Sequence, residues 1–152
     1  MTLPLSSSFL KADCEDVIFT PDIPDIWIES LFHLKGTTNP IHRKVVPSMY
    51  RAIPKETVCA CVKRDGRIIA TGLGILDRDY IGIYAIHVQE QYRRQGLARQ
   101  ICSGLLREGM KKGAQNAYLQ VVQGNLNAHR LYTSLGFDHF YTYWFRVRPD
   151  NP

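Results

Sequence analysis

The chain has 152 residues, about the length of one ordinary domain, enough to bury a core without disulfides or a metal. Hydrophobic residues make up 45% and charged residues 22%, which suits a soluble globular fold, and no stretch reaches the length of a transmembrane helix. The formal net charge of +5 is local: residues 91–112 hold Arg93, Arg94, Arg99, Arg107, Lys111 and Lys112 against the single acid Glu108.

Residues 1–20 carry little pattern, but Val17–Thr20 reads as a short first strand. Pro21 and Pro24 bracket a turn, and Asp25 opens a helix whose Trp27, Leu31 and Leu34 fall on one face. Gly36 stops it, residues 36–42 form a loop, and a second short helix is expected over 43–52 despite Pro47, ending before Pro54. Thr57–Lys63 is a strand, Asp65-Gly66 the core of a hairpin turn, and Ile68–Leu76 the return strand. Tyr80–Val88 is the longest strand candidate, and residues 97–112 form a helix with Ala98, Ile101, Cys102 and Leu105 as its apolar stripe. Ala117–Val122 is a strand and Asn127–Leu135 a short helix stopped by Gly136. The aromatic tail Phe137–Val147, with Tyr141, Tyr143 and Phe145 alternating, reads as one or two final strands. The order is β-α-α-β-β-β-α-β-α-β-β, a single α/β domain over residues 1–152 with a mixed central sheet flanked by helices.

The four cysteines, Cys14, Cys59, Cys61 and Cys102, show no C-x-x-C spacing and read as buried thiols. Cys59 and Cys61 alternate on one strand face. The start MTLPLSSSFLKADCED lacks the basic head and long apolar run of a signal peptide, so a cytoplasmic location is expected, and no metal.

The most informative stretch runs from Val88 to Arg99 and joins a strand to a helix. A strand that enters a helix through a basic, glycine-containing turn presents free backbone N–H groups. These donors and the positive helix end attract a phosphate or pyrophosphate. Gly96 permits unusual dihedrals, and Arg93, Arg94 and Arg99 are able to add charge-assisted bonds. An ordinary capped loop with solvated arginines has the same spacing. The stretch is neither a GxxxxGK[ST] loop nor a GxGxxG fingerprint.

Arg93-x-x-Gly96-x-Ala98 resembles the Arg/Gln-x-x-Gly-x-Gly/Ala signature of the GNAT superfamily of N-acetyltransferases. Val88 and Tyr92 resemble the apolar residue and the aromatic that precede it there, and Asn125-x-x-Ala128-x-x-Leu131-Tyr132-x-x-x-Gly136-Phe137 is similar to the second signature. The resemblance covers roughly residues 15–147, and its one departure is Ala98 where a second glycine is common. It implies an acetyl-coenzyme A cofactor whose pyrophosphate lies against Arg93, Arg94, Gln95, Gly96, Leu97, Ala98 and Arg99. It also implies that the main chain of Ile86 and Val88 holds the pantetheine amides, that Asn125 is a cofactor-side residue, and that Tyr132 is a general acid at the sulfur.

Acyl transfer to an amine needs a deprotonated amine, a polarised thioester carbonyl and a proton or hydrogen bond for the leaving thiolate. No Ser-His-Asp or Cys-His arrangement is readable, so direct attack is expected rather than a covalent intermediate. Tyr80, Gly82, Tyr84, Ile86 and Val88 alternate on one face of the long strand. Tyr84 is the substrate-side candidate there. His87 faces the other way unless a bulge reverses it, and no general base stands out. By the resemblance, Trp27, Phe32, His33 and residues 36–42 build the acceptor pocket, with Tyr141, Tyr143 and Trp144 near the C-terminus. No acidic cluster is present to recruit a polyamine.

Two other functions compete. A non-catalytic acyl-coenzyme A sensor fits the missing base. A nucleic-acid-binding module would use the 91–112 window, but the aromatics lie mainly in apolar strands; the reading is an enzyme that engages acetyl-coenzyme A and an amine, with no nucleic acid and no membrane. The apolar final strands at a sheet edge suggest a homodimer.

Overall fold

The computed structural model describes residues 1–146. Its six strands are β1 (Thr2–Pro4), β2 (Val17–Thr20), β3 (Thr57–Arg64), β4 (Arg67–Asp77), β5 (Tyr80–Val88) and β6 (Asn116–Leu119). The α-helices are α1 (Asp25–Lys35), α2 (Pro40–Arg51), α3 (Leu97–Lys111) and α4 (Leu126–Ser134). The strands form one sheet in the order β1-β6-β5-β4-β3-β2. The β5–β6 pair is parallel and the others are antiparallel. This is the mixed α/β architecture expected from the sequence.

Local chemistry sets the helix limits. Asn39 accepts a hydrogen bond from the Ile41 N–H at 2.9 Å, and Pro40 occupies the first turn of α2, where its missing N–H costs nothing. Gly36 ends α1 in a left-handed conformation and returns its N–H to the carbonyls of Phe32 and His33. Asn125 caps α4 through the Ala128 N–H at 3.2 Å.

A hydrophobic layer covers each face of the sheet. On one face Ile101, Cys102, Leu105 and Leu106 of α3 meet Ala60, Val62, Ala70, Ile81 and Ile83. On the other, Trp27, Ile28, Leu31 and Phe32 of α1 meet Cys59 and Leu73. Each fully buried Val, Leu, Ile or Phe side chain contributes about 1.5–3 kcal/mol. The Trp27 indole N–H donates to the Ala60 carbonyl at 2.9 Å, so the largest residue of α1 enters the core with its polar atom satisfied.

Two features of β5 depart from simple alternation. Leu73 pairs with Tyr84 but Thr71 pairs with His87, so Ala85 and Ile86 together oppose Gly72. This is a β-bulge, and Ala85 carries a φ of 54°. The pairing of β5 with β6 ends at Ile83↔Leu119, so residues 84–88 have no partner on that side among the described residues and are all half-buried.

The bulge corrects the expectation that Tyr84, Ile86 and Val88 share a face. Tyr84 packs with the α1 layer, whereas Ile86 and Val88 pack with the α3 layer. Directly paired residues of antiparallel strands point to the same side, so His87, opposite Thr71, joins Tyr84 on the α1 side.

The tail also differs from expectation. Phe137–Arg146 forms no strand beyond a single bridge between Thr2 and Asp138; Val147, the last residue of the expected strands, lies outside the described residues. The cause is competition for one edge. Thr2–Pro4, which has no readable pattern, pairs with Asn116–Tyr118 and occupies the free side of β6. Phe140, Tyr141, Trp144 and Phe145 are left more than 60% exposed.

Candidate active site

The site is built where β5 leaves β6. Beyond Ile83 the pairing of the two parallel strands ends, and residues 84–88 are half-buried with no strand beside them on that side among the described residues. A buried hydroxyl fixes the strand there: Thr71, 0% exposed, donates to the Ala85 carbonyl at 2.9 Å. Ile86 and Val88 place their side chains against the α3 core.

After Val88 a single 3-10 turn, Glu90–Tyr92, leads into the loop Arg93–Gly96. Arg94 and Gly96 both adopt positive φ, 62° and 79°. Gly96 has open space where a Cβ would stand, so its role is backbone conformation rather than close packing. It precedes the first residue of α3, whose first turn holds no acid and no side-chain cap. Intrahelical bonding begins with the Gln100 N–H on the Gly96 carbonyl, so the preceding N–H groups point out of the helix end and form an anion-attracting cradle.

The three arginines of this region separate by partner. Arg93 donates through Nε to the Val88 carbonyl at 3.0 Å and so ties the loop to the strand end. Arg99 reaches the Ser134 carbonyl at the end of α4, at 3.4 Å. Arg94 is exposed and has neither a hydrogen bond nor an ion pair among the described residues. Leu97 is buried in the core and offers only its main chain, Ala98 is half-buried, and Gln95 is exposed.

Tyr132 lies in α4, 9% exposed, edge-on to Phe137 with ring centroids 6.1 Å apart. Burial, and secondarily the Cys102 thiol, push its phenol well above the ordinary tyrosine range, so it is a protonated donor at neutral pH. Its hydroxyl has no protein partner among the described residues. Asn125 uses its carbonyl oxygen as the α4 cap, which is the structural role available to it at that position.

Tyr84 is joined hydroxyl to hydroxyl with Tyr118 at 2.7 Å, and the rings meet edge-on. Burial and this bond push its phenol upward as well. Gly82 makes the arrangement possible: a Cβ there would come within 2.6 Å of the Tyr118 ring and 2.7 Å of the Tyr84 ring. Tyr118 escaped the sequence reading; its signal is a glycine between two same-face tyrosines, opposite an aromatic on the next strand. His87, set aside by strict alternation, lies on the Tyr84 side of the sheet. Of the residues expected to line an acceptor pocket, Trp27 and Phe32 are core instead, 1% and 3% exposed, with the Arg43 guanidinium 5.0 Å from the Phe32 ring centre. His33 does line a surface depression, together with Glu90 and Arg93.

A sequence profile of the Acetyltransferase (GNAT) family matches residues 22–137. Among curated proteins the chain is 25% identical over 123 residues to an uncharacterized N-acetyltransferase of Bacillus subtilis, YobR, covering 81% of this chain and 49% of that protein. It is 33% identical over 75 residues to the [ribosomal protein bS18]-alanine N-acetyltransferase of Escherichia coli K12, covering 49% and 51%. The chain thus spans about half the length of the curated relatives it matches. Its fold is shared with an aminoglycoside antibiotic 6'-N-acetyltransferase of Acinetobacter haemolyticus at a TM-score of 0.68, over 88% of this chain and 99% of that one, at 12% identity. With the bulged, splayed strand and the glycine-turned helix entrance lying inside the matched residues, the chain belongs to the GNAT acetyltransferase family.

Proposed function

We propose that the protein transfers the acetyl group of acetyl-coenzyme A to a primary amine by direct attack. The observation that carries this reading is that residues 84–88 lack a strand partner on the β6 side among the described residues and lead, through one 3-10 turn and a glycine loop, to the bare N-terminus of α3. A strand edge without a neighbour suits the amides of a pantetheine arm, with the Val88 carbonyl shared with Arg93, and the helix end beyond it suits a pyrophosphate. In this reading Arg93, Arg94, Gln95, Gly96, Leu97, Ala98 and Arg99 surround the pyrophosphate, and Ile86 and Val88 hold the arm through their main chain. Asn125 stands on the cofactor side. Tyr132 protonates the departing sulfur, and Tyr84, with Tyr118, orients the amine.

The acceptor reading comes from charge. One sequence relative is named for a ribosomal-protein alanine, and one protein of the same fold for an aminoglycoside. On the α1–α2 face, Asp25 is paired with Arg51, and Glu29 with Arg43 at 2.8 Å. Each of those carboxylates already faces an arginine, so a polycationic acceptor meets both signs of charge there, and a neutral or acid-bearing amine fits better.

The test is calorimetry of acetyl-coenzyme A binding, followed by an amine panel with product identified by mass. Binding together with an acetylated product supports the reading. Absence of binding sinks it.

A further inference from the structure

We propose that His87 takes the proton from the attacking amine, directly or through one water, an inference that rests on the acetyltransferase reading above. Two independent features place it. The bulge at Ala85–Ile86 turns His87 to the Tyr84 side of the sheet, and the end of β6 pairing at Leu119 leaves that stretch of β5 open. Neither ring nitrogen of His87 is sealed in the core without a partner, so a lone pair remains within reach of a ligand or water.

The groups around it favour the neutral imidazole. Burial is the main cause of a pKa below the ordinary histidine value, and Lys35 at the end of α1 and Arg93 in the loop add repulsion of the charged form. Arg93 also lines a surface depression with His33 and Glu90, and Glu90 is the one acid among these groups. A histidine that is neutral at pH 7 is ready to accept a proton. The other titratable side chains of the strand are worse placed. Tyr84 is a protonated phenol bonded to Tyr118. Asp79 sits at the opposite end of β5, where Asn116 donates to it at 3.4 Å.

In the step itself, the amine nitrogen bonds to the acetyl carbonyl carbon as the carbon–sulfur bond breaks. The proton lost by nitrogen goes to His87, and the thiolate takes a proton from Tyr132. Solvent exchange then returns imidazolium and phenolate to their starting states.

The experiment combines pH–rate profiles of the whole chain with a histidine NMR titration. In the wild type, kcat/KM should fall on the acid side with a midpoint below about 6.5, the ordinary histidine value, and the His87 resonance should titrate at that same pH. H87Q should lose activity by about 10²-fold or more, lose that acid limb, and keep its acetyl-coenzyme A affinity. H87A, a second variant in case the first folds poorly, should regain activity with added imidazole. An H87Q enzyme that keeps the wild-type rate and limb, or a His87 resonance titrating at or above the ordinary value, overturns this assignment alone. A wild-type chain that binds acetyl-coenzyme A and acetylates no amine overturns the enzyme reading and this assignment together.

Discussion

The hydroxyl of Thr71 donates to the carbonyl of Ala85 across the β4–β5 bulge, 2.9 Å away, and Thr71 is the only polar side chain among the fully buried described residues. A buried threonine is tolerated when its hydroxyl is bonded, and here the bond lies at the residue with positive φ. Thr71→Val keeps the side-chain shape and deletes the donor. The cost of an unmet buried acceptor is about 1–3 kcal/mol, and a chain of this size should melt lower by roughly 2–4 °C for each kcal/mol. Thermal unfolding of T71V against wild type reads this directly; an unchanged midpoint would show that the bulge holds without its clip.

That bulge also marks the limit of what the sequence discloses. The helix over 97–111 and the hairpin at Asp65-Gly66 are legible because period and turn chemistry are local. A bulge centred on an alanine has no such signal: Ala85 is neither glycine nor asparagine, yet its φ is 54°. Alternation carried through it put Ile86 and Val88 with Tyr84 and sent His87 to the wrong side. The tail failed for a different reason. Its aromatics have strand propensity, but the edge they would join is held by Thr2–Pro4, a contact between chain ends that no local pattern announces. The turn into α3 was legible because its glycine, at a φ of 79°, marks a helix start within one short segment.

Gly96 separates backbone strain from charge. At a φ of 79° with open space around it, Gly96→Ala should cost about 1–2 kcal/mol of stability through the left-handed conformation alone. Gly96→Asp adds a carboxylate at the cradle proposed for the pyrophosphate. Calorimetry should find acetyl-coenzyme A binding weakened by at least about tenfold more in G96D than in G96A, the equivalent of 1.4 kcal/mol of repulsion. Equal affinities would place the pyrophosphate elsewhere.

The loop arginines should behave differently from each other. Arg93 is spent on the Val88 carbonyl and Arg99 on the Ser134 carbonyl, so their removal should disturb the loop and the α4 end as well as any ligand. Arg94→Ala should leave the melting temperature within the usual range of surface changes, about 0.5 kcal/mol, while weakening acetyl-coenzyme A and reducing the salt dependence of its binding. A titration series at two ionic strengths, run beside thermal melts, distinguishes the two kinds of residue. Equal loss of stability in R94A and R93A would refute the distinction.

Acceptor charge should matter in a defined direction. With Asp25 and Glu29 held by Arg51 and Arg43, spermidine-like polyamines should be poorer acceptors than neutral primary amines of similar size, judged by kcat/KM. The Arg43→Ala variant frees Glu29 and should narrow that gap. A preference for polyamines in the wild type would mean that the acceptor approaches by another face.

Tyr132 offers the sharpest test of the chemical step. Tyr132→Phe deletes only a hydroxyl, and the edge-on contact with Phe137 can persist. A group that matters only as charge develops on sulfur should lower kcat and kcat/KM together and leave acetyl-coenzyme A binding alone. General acids contribute about 10²–10⁴-fold, and the low end, roughly 10–100-fold, is expected because a coenzyme A thiolate is already a fair leaving group, with a thiol pKa not far above about 8.5. The pH dependence follows from the direction of the shift. Burial raises the Tyr132 pKa above the ordinary tyrosine value, so the phenol stays protonated through the mildly alkaline range, and the mutant-to-wild-type ratio should stay flat there up to at least about pH 10. A thioester with a more acidic thiol should shrink the deficit, since its sulfur needs less help. The competing role is a core phenol with no part in chemistry. In that case Y132F would turn over at the wild-type rate and differ only in melting temperature, and the thiolate would depart unassisted from a cofactor held by residues 86–98.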